Sequence, residues 1–160
     1  MTELLLLRHA HAGDPTTWTK SDDIRPLSKK GRDQAARMAA FLLTADVRPD
    51  VIVASPRARA VQTAEPVSDA LGLEVRIDAR LADPFGVAEA EAMLVDLGDP
   101  ERPMLVGHDP DFTSLVAVLS HTPSLPMRKG ALVRIDVPRP LCPGCGTLRW
   151  LVPPELLPKR

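Results

Sequence analysis

A chain of 160 residues, 44% hydrophobic and 26% charged, has the make-up of a globular protein able to bury about 70% of its unfolded surface. Twenty basic residues against 21 acidic ones leave a formal charge of −1, which excludes a broad electrostatic footprint for nucleic acid or an anionic membrane. Any anion must therefore be recognised locally, and apolar runs such as "LLLL" and "LVAVL" are far too short to span a bilayer.

The first element is "ELLLLR", a short apolar run suited to a strand buried on both faces. A secretory signal is not expected. "AHA" at 10–12 resembles a cleavage site, but no basic segment precedes the leucines and four of them are too few. Residues 12–26 are polar and irregular. Ser28 then caps a helix whose Ala35, Met38, Ala39, Leu42 and Leu43 recur at helical spacing. "DVIVAS" is a second buried strand. The helix after it starts near Arg57, with Ser55 as cap and Pro56 at its first position, and Pro66 is expected to kink or interrupt it.

"LEVRI" reads as a third strand, "VAEAEAMLVDL" as a helix, "PMLVGH" as a fourth strand and "DFTSLVAVLS" as the helix that follows. "ALVRIDV" and "TLRWLV" alternate as strands, joined through "PRPLCPGCG". No repeat or linker interrupts this order, so residues 1–160 are expected to form one domain. Strand–helix alternation predicts a three-layer α/β/α sandwich around a central, mostly parallel sheet, with ligands bound beyond the carboxyl ends of the strands.

Three apolar strands end in polar chemistry. "LLLLRHA" delivers Arg8 and His9, "VIVASPRARAVQTA" delivers Ser55, Arg57 and Arg59, and "MLVGHDP" delivers His108 and Asp109. Singly, each pattern fits an ordinary solvated turn. Together, on neighbouring strands, they would converge as a cationic pocket suited to phosphate, because guanidinium forks and a helix N-terminus both match its oxygens.

The ordered set "LRHA", "RPLSKKG", "SPRARAVQTA" and "VGHDP", reaching from about Leu4 to Pro110, resembles the histidine phosphatase superfamily. The short length and the "RPLS..G" element resemble its short phosphohistidine phosphatase (SixA-like) branch. That resemblance implies a phosphoglycerate mutase-like fold and a cofactor-free, metal-free phosphatase. It would hydrolyse phosphohistidine on a protein through a covalent phosphohistidine intermediate. The alternative keeps the chemistry and takes a small-molecule phosphomonoester. By position, His9 matches the nucleophile, Arg8 and Arg59 the phosphate-binding arginines, His108 the second histidine on the phosphoryl group, and Arg25 a further basic residue of the short branch. Arg57 is expected outside the core site.

The mechanism expected is two-step phosphoryl transfer. His9 attacks as a neutral imidazole whose other nitrogen is held by an acceptor such as a backbone carbonyl. Arg8, Arg59 and a protonated or donating His108 stabilise the charge on the transferring group. Asp83 and Asp109 are the candidates for the acid that protonates the leaving group, whereas Glu89 reads as a helix cap or surface acid. A phosphoramidate substrate can carry the leaving proton itself and needs such an acid less.

"CPGCG" resembles half of a zinc knuckle, but a structural zinc site wants four ligands. Cys142 and Cys145 are therefore expected as reduced thiols in a tight turn, with nothing to bring His121 close. His11 and Asp14 read as a solvated loop. Lys129 is left open between approaching the phosphate and snorkelling at a strand start. Two cysteines in all point to a reducing compartment, and a cytoplasmic monomer is expected. Its partners would be a phosphorylated protein or small phosphorylated molecule, not nucleic acid or membrane.

Overall fold

A computed structural model of the chain describes residues 1–159. Six strands form one sheet: β1 (Thr2–Arg8), β2 (Val51–Ala54), β3 (Val75–Ile77), β4 (Pro103–Gly107), β5 (Leu132–Val137) and β6 (Thr147–Val152). Four α-helices alternate with the early strands: α1 (Lys29–Thr44), α2 (Ala58–Leu71), α3 (Val87–Asp96) and α4 (Asp111–Ser120). The sheet order is β3-β2-β4-β1-β5-β6. The pairings β3–β2, β2–β4 and β4–β1 are parallel, whereas β1–β5 and β5–β6 are antiparallel.

The leucine run of β1 explains the layers. Successive strand side chains point to opposite faces, and all four leucines are buried. Leu4 and Leu6 pack with Val53 and Leu105 against Met93 and Leu94 of α3 and Phe112 and Leu115 of α4. Leu5 and Leu7 pack with Ile52 and Met104 against Met38 and Leu42 of α1 and Ala60, Ala64 and Val67 of α2. Helices thus cover both faces, the three-layer arrangement that the alternation predicts.

Three local expectations change. Leu43 follows the buried face of α1 in sequence, yet is 39% exposed, because one residue further turns it past the edge of the contact. Helix α2 begins at Ala58 with Arg57 as its N-cap, not at Ser55. The buried Ser55 hydroxyl is shared with His108, as described below. Pro66 does not interrupt α2, which runs through it to Leu71. The helix is held on both sides of Pro66 by the packing of Ala60, Thr63, Ala64 and Val67, and Pro66 stands off that buried face.

Parallel pairing of β1, β2 and β4 aligns their carboxyl ends. Leu7 is level with Val106, Ala54 is level with Val106, and Arg8 is level with Gly107. The next residues of these strands, His9, Ser55 and His108, leave the sheet side by side.

Candidate active site

The backbone after β1 is gripped from several directions. His9 N donates to the Gly107 carbonyl (2.9 Å), and Gly130 N donates to the His9 carbonyl (2.9 Å). Ala10 N donates to Thr63 Oγ1 (3.0 Å), while that hydroxyl donates to the Arg59 carbonyl (2.7 Å). His11 N donates to Gln34 Oε1 (2.9 Å), and the His11 carbonyl accepts from Ser28 N (3.0 Å) and Ser28 Oγ (3.1 Å). Arg25 Nη1 donates to the Ala12 carbonyl (2.7 Å). Ser28 also caps α1 by accepting from Gly31 N (3.0 Å), so one side chain joins the helix start to the loop.

The ring of His9 is buried, with Nδ1 2.8 Å from the Ala10 carbonyl. A carbonyl only accepts, so Nδ1 carries the proton and Nε2 keeps its lone pair. Burial, opposed by that hydrogen bond and assisted by His108, Arg59 and Arg8, pushes the His9 pKa down to about 3. At neutral pH the ring is an uncharged base. His108 faces it, with ring centroids 5.3 Å apart and planes tilted by 53°. Its Nε2 shares a 2.8 Å hydrogen bond with Ser55 Oγ, and its buried Nδ1 has no partner among the described residues. Burial first, then Arg57, Arg59 and Arg8, pushes His108 to about 3. Of the two forms expected for His108, the environment disfavours the imidazolium and leaves the neutral donor.

Guanidinium groups surround the two rings. Arg8 Nη1 donates to the Met127 carbonyl (2.8 Å) and lies 3.7 Å from Asp109. Arg59, buried on the first turn of α2, donates from Nη1 to the Asp22 carbonyl and from Nη2 to Asp22 Oδ2, both at 2.9 Å. Arg25 Nε donates to Asp22 Oδ1 at 3.0 Å. The Nε groups of Arg8 and Arg59 are buried without a hydrogen-bond partner among the described residues. Donors of that kind, beside a neutral imidazole with a free lone pair, form a cup chemically matched to a phosphoryl group.

The structure thus brings together Arg8, His9, Arg25, Arg59 and His108. Arg57 stands nearer than expected. It donates to the Ala82 carbonyl (3.0 Å), pairs with Asp23 (3.4 Å) and is the largest charge acting on His108. Lys129 lines a groove together with Arg8, and burial first, then Arg8, Arg25 and Arg59, lowers the pKa of its ammonium. His11 is not a free loop residue, because Ser28 and Gln34 engage it. One contributor went unnoticed in the sequence, Asp22, which holds Arg25 and Arg59 together, and Ser55, expected as a helix cap at the strand end, instead shares its hydroxyl with His108.

The carboxylates divide. Asp109 accepts from Thr113 N (3.1 Å) and Thr113 Oγ1 (2.6 Å), closing the first turn of α4, while staying within reach of Arg8. Asp83 is exposed, with no hydrogen bond or ion pair among the described residues. Glu89 accepts from Gly86 N (3.0 Å), the capping role expected of it. Asp111, not singled out from sequence, has its carboxyl raised by burial at the start of α4.

Cys142 and Cys145 are free, and Cys142 N donates to Cys145 Sγ (3.0 Å) in a tight turn. Contrary to expectation, the His121 ring does lie close to that turn, against Gly144. No group of three or more His, Cys, Asp or Glu side chains is placed to hold a metal ion among the described residues.

A family model described as histidine phosphatase superfamily (branch 1) matches residues 4–100. Phosphohistidine phosphatase SixA of Escherichia coli K12 is 28% identical over 157 residues, which cover 95% of this chain and 94% of that protein. A solved structure of the protein histidine phosphatase SixA complexed with tungstate superposes with a TM-score of 0.82 at 26% identity, covering 96% of this chain and 98% of that one. A mycobacterial glucosyl-3-phosphoglycerate phosphatase shares the fold, with a TM-score of 0.70 at 21% identity and coverage of 93% and 96%.

Proposed function

Since the chain belongs to the histidine phosphatase superfamily, we propose that it is a phosphatase that removes the phosphoryl group from phosphohistidine on a protein, with His9 as the covalent nucleophile. The observation that carries the reading is the 2.8 Å hydrogen bond from His9 Nδ1 to the Ala10 carbonyl. It fixes the tautomer, so Nε2 is the attacking atom, and the depressed pKa keeps that atom unprotonated.

In the first step the Nε2 lone pair forms a bond to phosphorus as the P–N bond of the substrate breaks. A phosphohistidine already protonated on its other ring nitrogen leaves as neutral imidazole, so no strong enzymic acid is needed. Arg8 and Arg59 stabilise the phosphoryl oxygens, aided by the His108 ring and by Arg25, which with Asp22 also orients Arg59. In the second step water attacks phosphorus, the P–Nε2 electron pair returns to His9, and the water protons leave with inorganic phosphate. Similarity to SixA along nearly the full chain favours a protein substrate. The reading includes residues 1–160 as a single domain acting as a cytoplasmic monomer. No helix among the described residues is long and apolar enough to cross a membrane.

The test is a rapid quench of the protein with a phosphohistidine-bearing peptide, followed by mass spectrometry of the peptide that contains His9. A phosphoryl adduct on His9 in wild type, and loss of both adduct and phosphate release in His9→Ala with an unchanged circular dichroism spectrum, is expected. Wild-type turnover in His9→Ala would end the covalent scheme. Hydrolysis of sugar or nucleotide phosphates but of no phosphohistidine would replace the protein substrate with a small molecule.

A further inference from the structure

A groove of about 540 Å³ opens beside the catalytic cup and shares Arg8 with it. Six cationic side chains line it: Arg8, Lys30, Arg37, Arg128, Lys129 and Lys159. Only two carboxylates do, Asp33 and Glu155. In a chain of net charge −1 this is a pronounced local excess of positive charge. The two acids are already engaged, Asp33 with Arg37 at 2.7 Å and Glu155 with Arg128 at 3.8 Å. Lys30, Lys129 and Lys159 have no ion pair among the described residues. The groove is registered to the chemistry through Lys129, whose neighbour Gly130 donates its N–H to the carbonyls of both Arg8 and His9.

We propose that this groove is the docking surface for acidic residues around the phosphohistidine of the substrate protein, recognised by the unpaired Lys30 and Lys129 and by Arg128, which Glu155 holds only loosely at 3.8 Å, with Arg37 beside them held by Asp33. The proposal rests on the phosphohistidine reading and names the kind of surface that reading requires. The length of the cationic stripe selects a protein over a small molecule. Lys30 and Arg37 lie seven residues apart on α1, about 10 Å along its axis at 1.5 Å per residue. With Arg128 and Lys129 also lining the groove, from a segment far from α1 in the chain, the cations are spread too widely for the second anionic group of one small phosphate ester. Several carboxylates on one protein face fit that spacing. Lys30 and Arg128 are solvent-exposed, so they act by steering and registering an incoming acidic surface, an effect that weakens with salt.

The test uses two synthetic phosphohistidine peptides, identical except that the flanking residues are Glu in one and Gln in the other. Wild-type kcat/KM is expected to favour the Glu peptide by about tenfold at low salt, and the preference should shrink as salt is added. In the double variant Lys30→Glu/Arg128→Glu the preference should disappear or invert. The neutral pair Lys30→Gln/Arg128→Gln repeats the test with half the charge change and little risk to folding. Equal wild-type rates on the two peptides, or an undiminished preference in both double variants, overturns the docking surface and leaves the phosphohistidine reading intact. Failure of wild type to hydrolyse either peptide while it hydrolyses a phosphomonoester overturns both. A preference for a small bisphosphate over a monophosphate, lost in the variants, reassigns the groove to a small dianion and overturns the protein-docking proposal.

Discussion

Gly31→Ala sets two physical effects of opposite sign against each other. By helix propensity, alanine in place of glycine inside α1 stabilises by up to about 1 kcal/mol. The structure predicts the reverse. A Cβ on Gly31 would run into the carbonyl oxygen of His11, with the His11 carbonyl carbon at 2.9 Å and its nitrogen at 3.0 Å. All of these are main-chain atoms, so no side chain can swing aside. Relief requires α1 and the His11 loop to separate. That movement strains the bonds between them: Ser28 N and Ser28 Oγ to the His11 carbonyl, and His11 N to Gln34. Overpacking of this kind costs about 1–3 kcal/mol, and each weakened hydrogen bond adds roughly 1 kcal/mol. Net of propensity, a loss of about 3–5 kcal/mol is expected, or a fall in Tm of roughly 10–15 °C for a chain of this size. The loop carries His9 two residues earlier, so turnover should fall about 100-fold as the nucleophile shifts. Thermal unfolding and initial-rate assays on the same preparation measure both. An unchanged or raised Tm together with wild-type turnover would show that α1 does not close on the loop.

Proton linkage gives a second expected outcome. His9 and His108 titrate near 3 in the fold and near 6.5 in the unfolded chain. The unfolded state therefore binds more protons between those values, and the contribution of each ring to stability is full above about pH 6.5 and is lost as pH falls towards 3. The stability difference between wild type and His9→Ala should change by about 1.4 kcal/mol per pH unit between roughly pH 4 and 6, then flatten. Parallel urea-denaturation curves across that range would refute the depressed pKa. Ser55→Ala removes the 2.8 Å partner of His108 Nε2 and leaves a buried ring with no fixed orientation. An orphaned buried nitrogen costs about 1–3 kcal/mol, so kcat should fall about 10- to 100-fold with a smaller change in KM; wild-type kcat in the folded variant would remove Ser55 from the site.

Much of the fold was legible because it rests on repeated, local signals. A run of four leucines this short suits a strand buried on both faces, and the structure divides them two and two between the helical layers. Ser28 was readable as a cap because the physics of a helix start is contained in a few residues. Pro66 misled for the converse reason. Its cost is local, but the packing of Ala60, Ala64 and Val67 that outweighs it is tertiary. The end of α1 shows the same limit: periodicity alone set Leu43 on the buried face, and in the fold that face ends at Leu42.

The site divides along the same line. Arg8, His9, Arg59 and His108 stand at strand ends or on a first helical turn, and parallel pairing of β1, β2 and β4 is enough to gather them. Asp22 has no such marker, since it lies in a polar, irregular stretch and its importance comes only from where the chain folds back. The physical need for it could still be argued in advance. Buried guanidinium groups repel one another and demand a carboxylate, and Asp22 supplies one to Arg59 at 2.9 Å and to Arg25 at 3.0 Å. Its side chain remains 54% exposed, so the countercharge sits on the solvent side of the cup. Ser55 was assigned to the helix start because Ser-Pro before a helix is a strong local pattern. The buried ring of His108, which arrives from a strand more than fifty residues later, takes its hydroxyl instead.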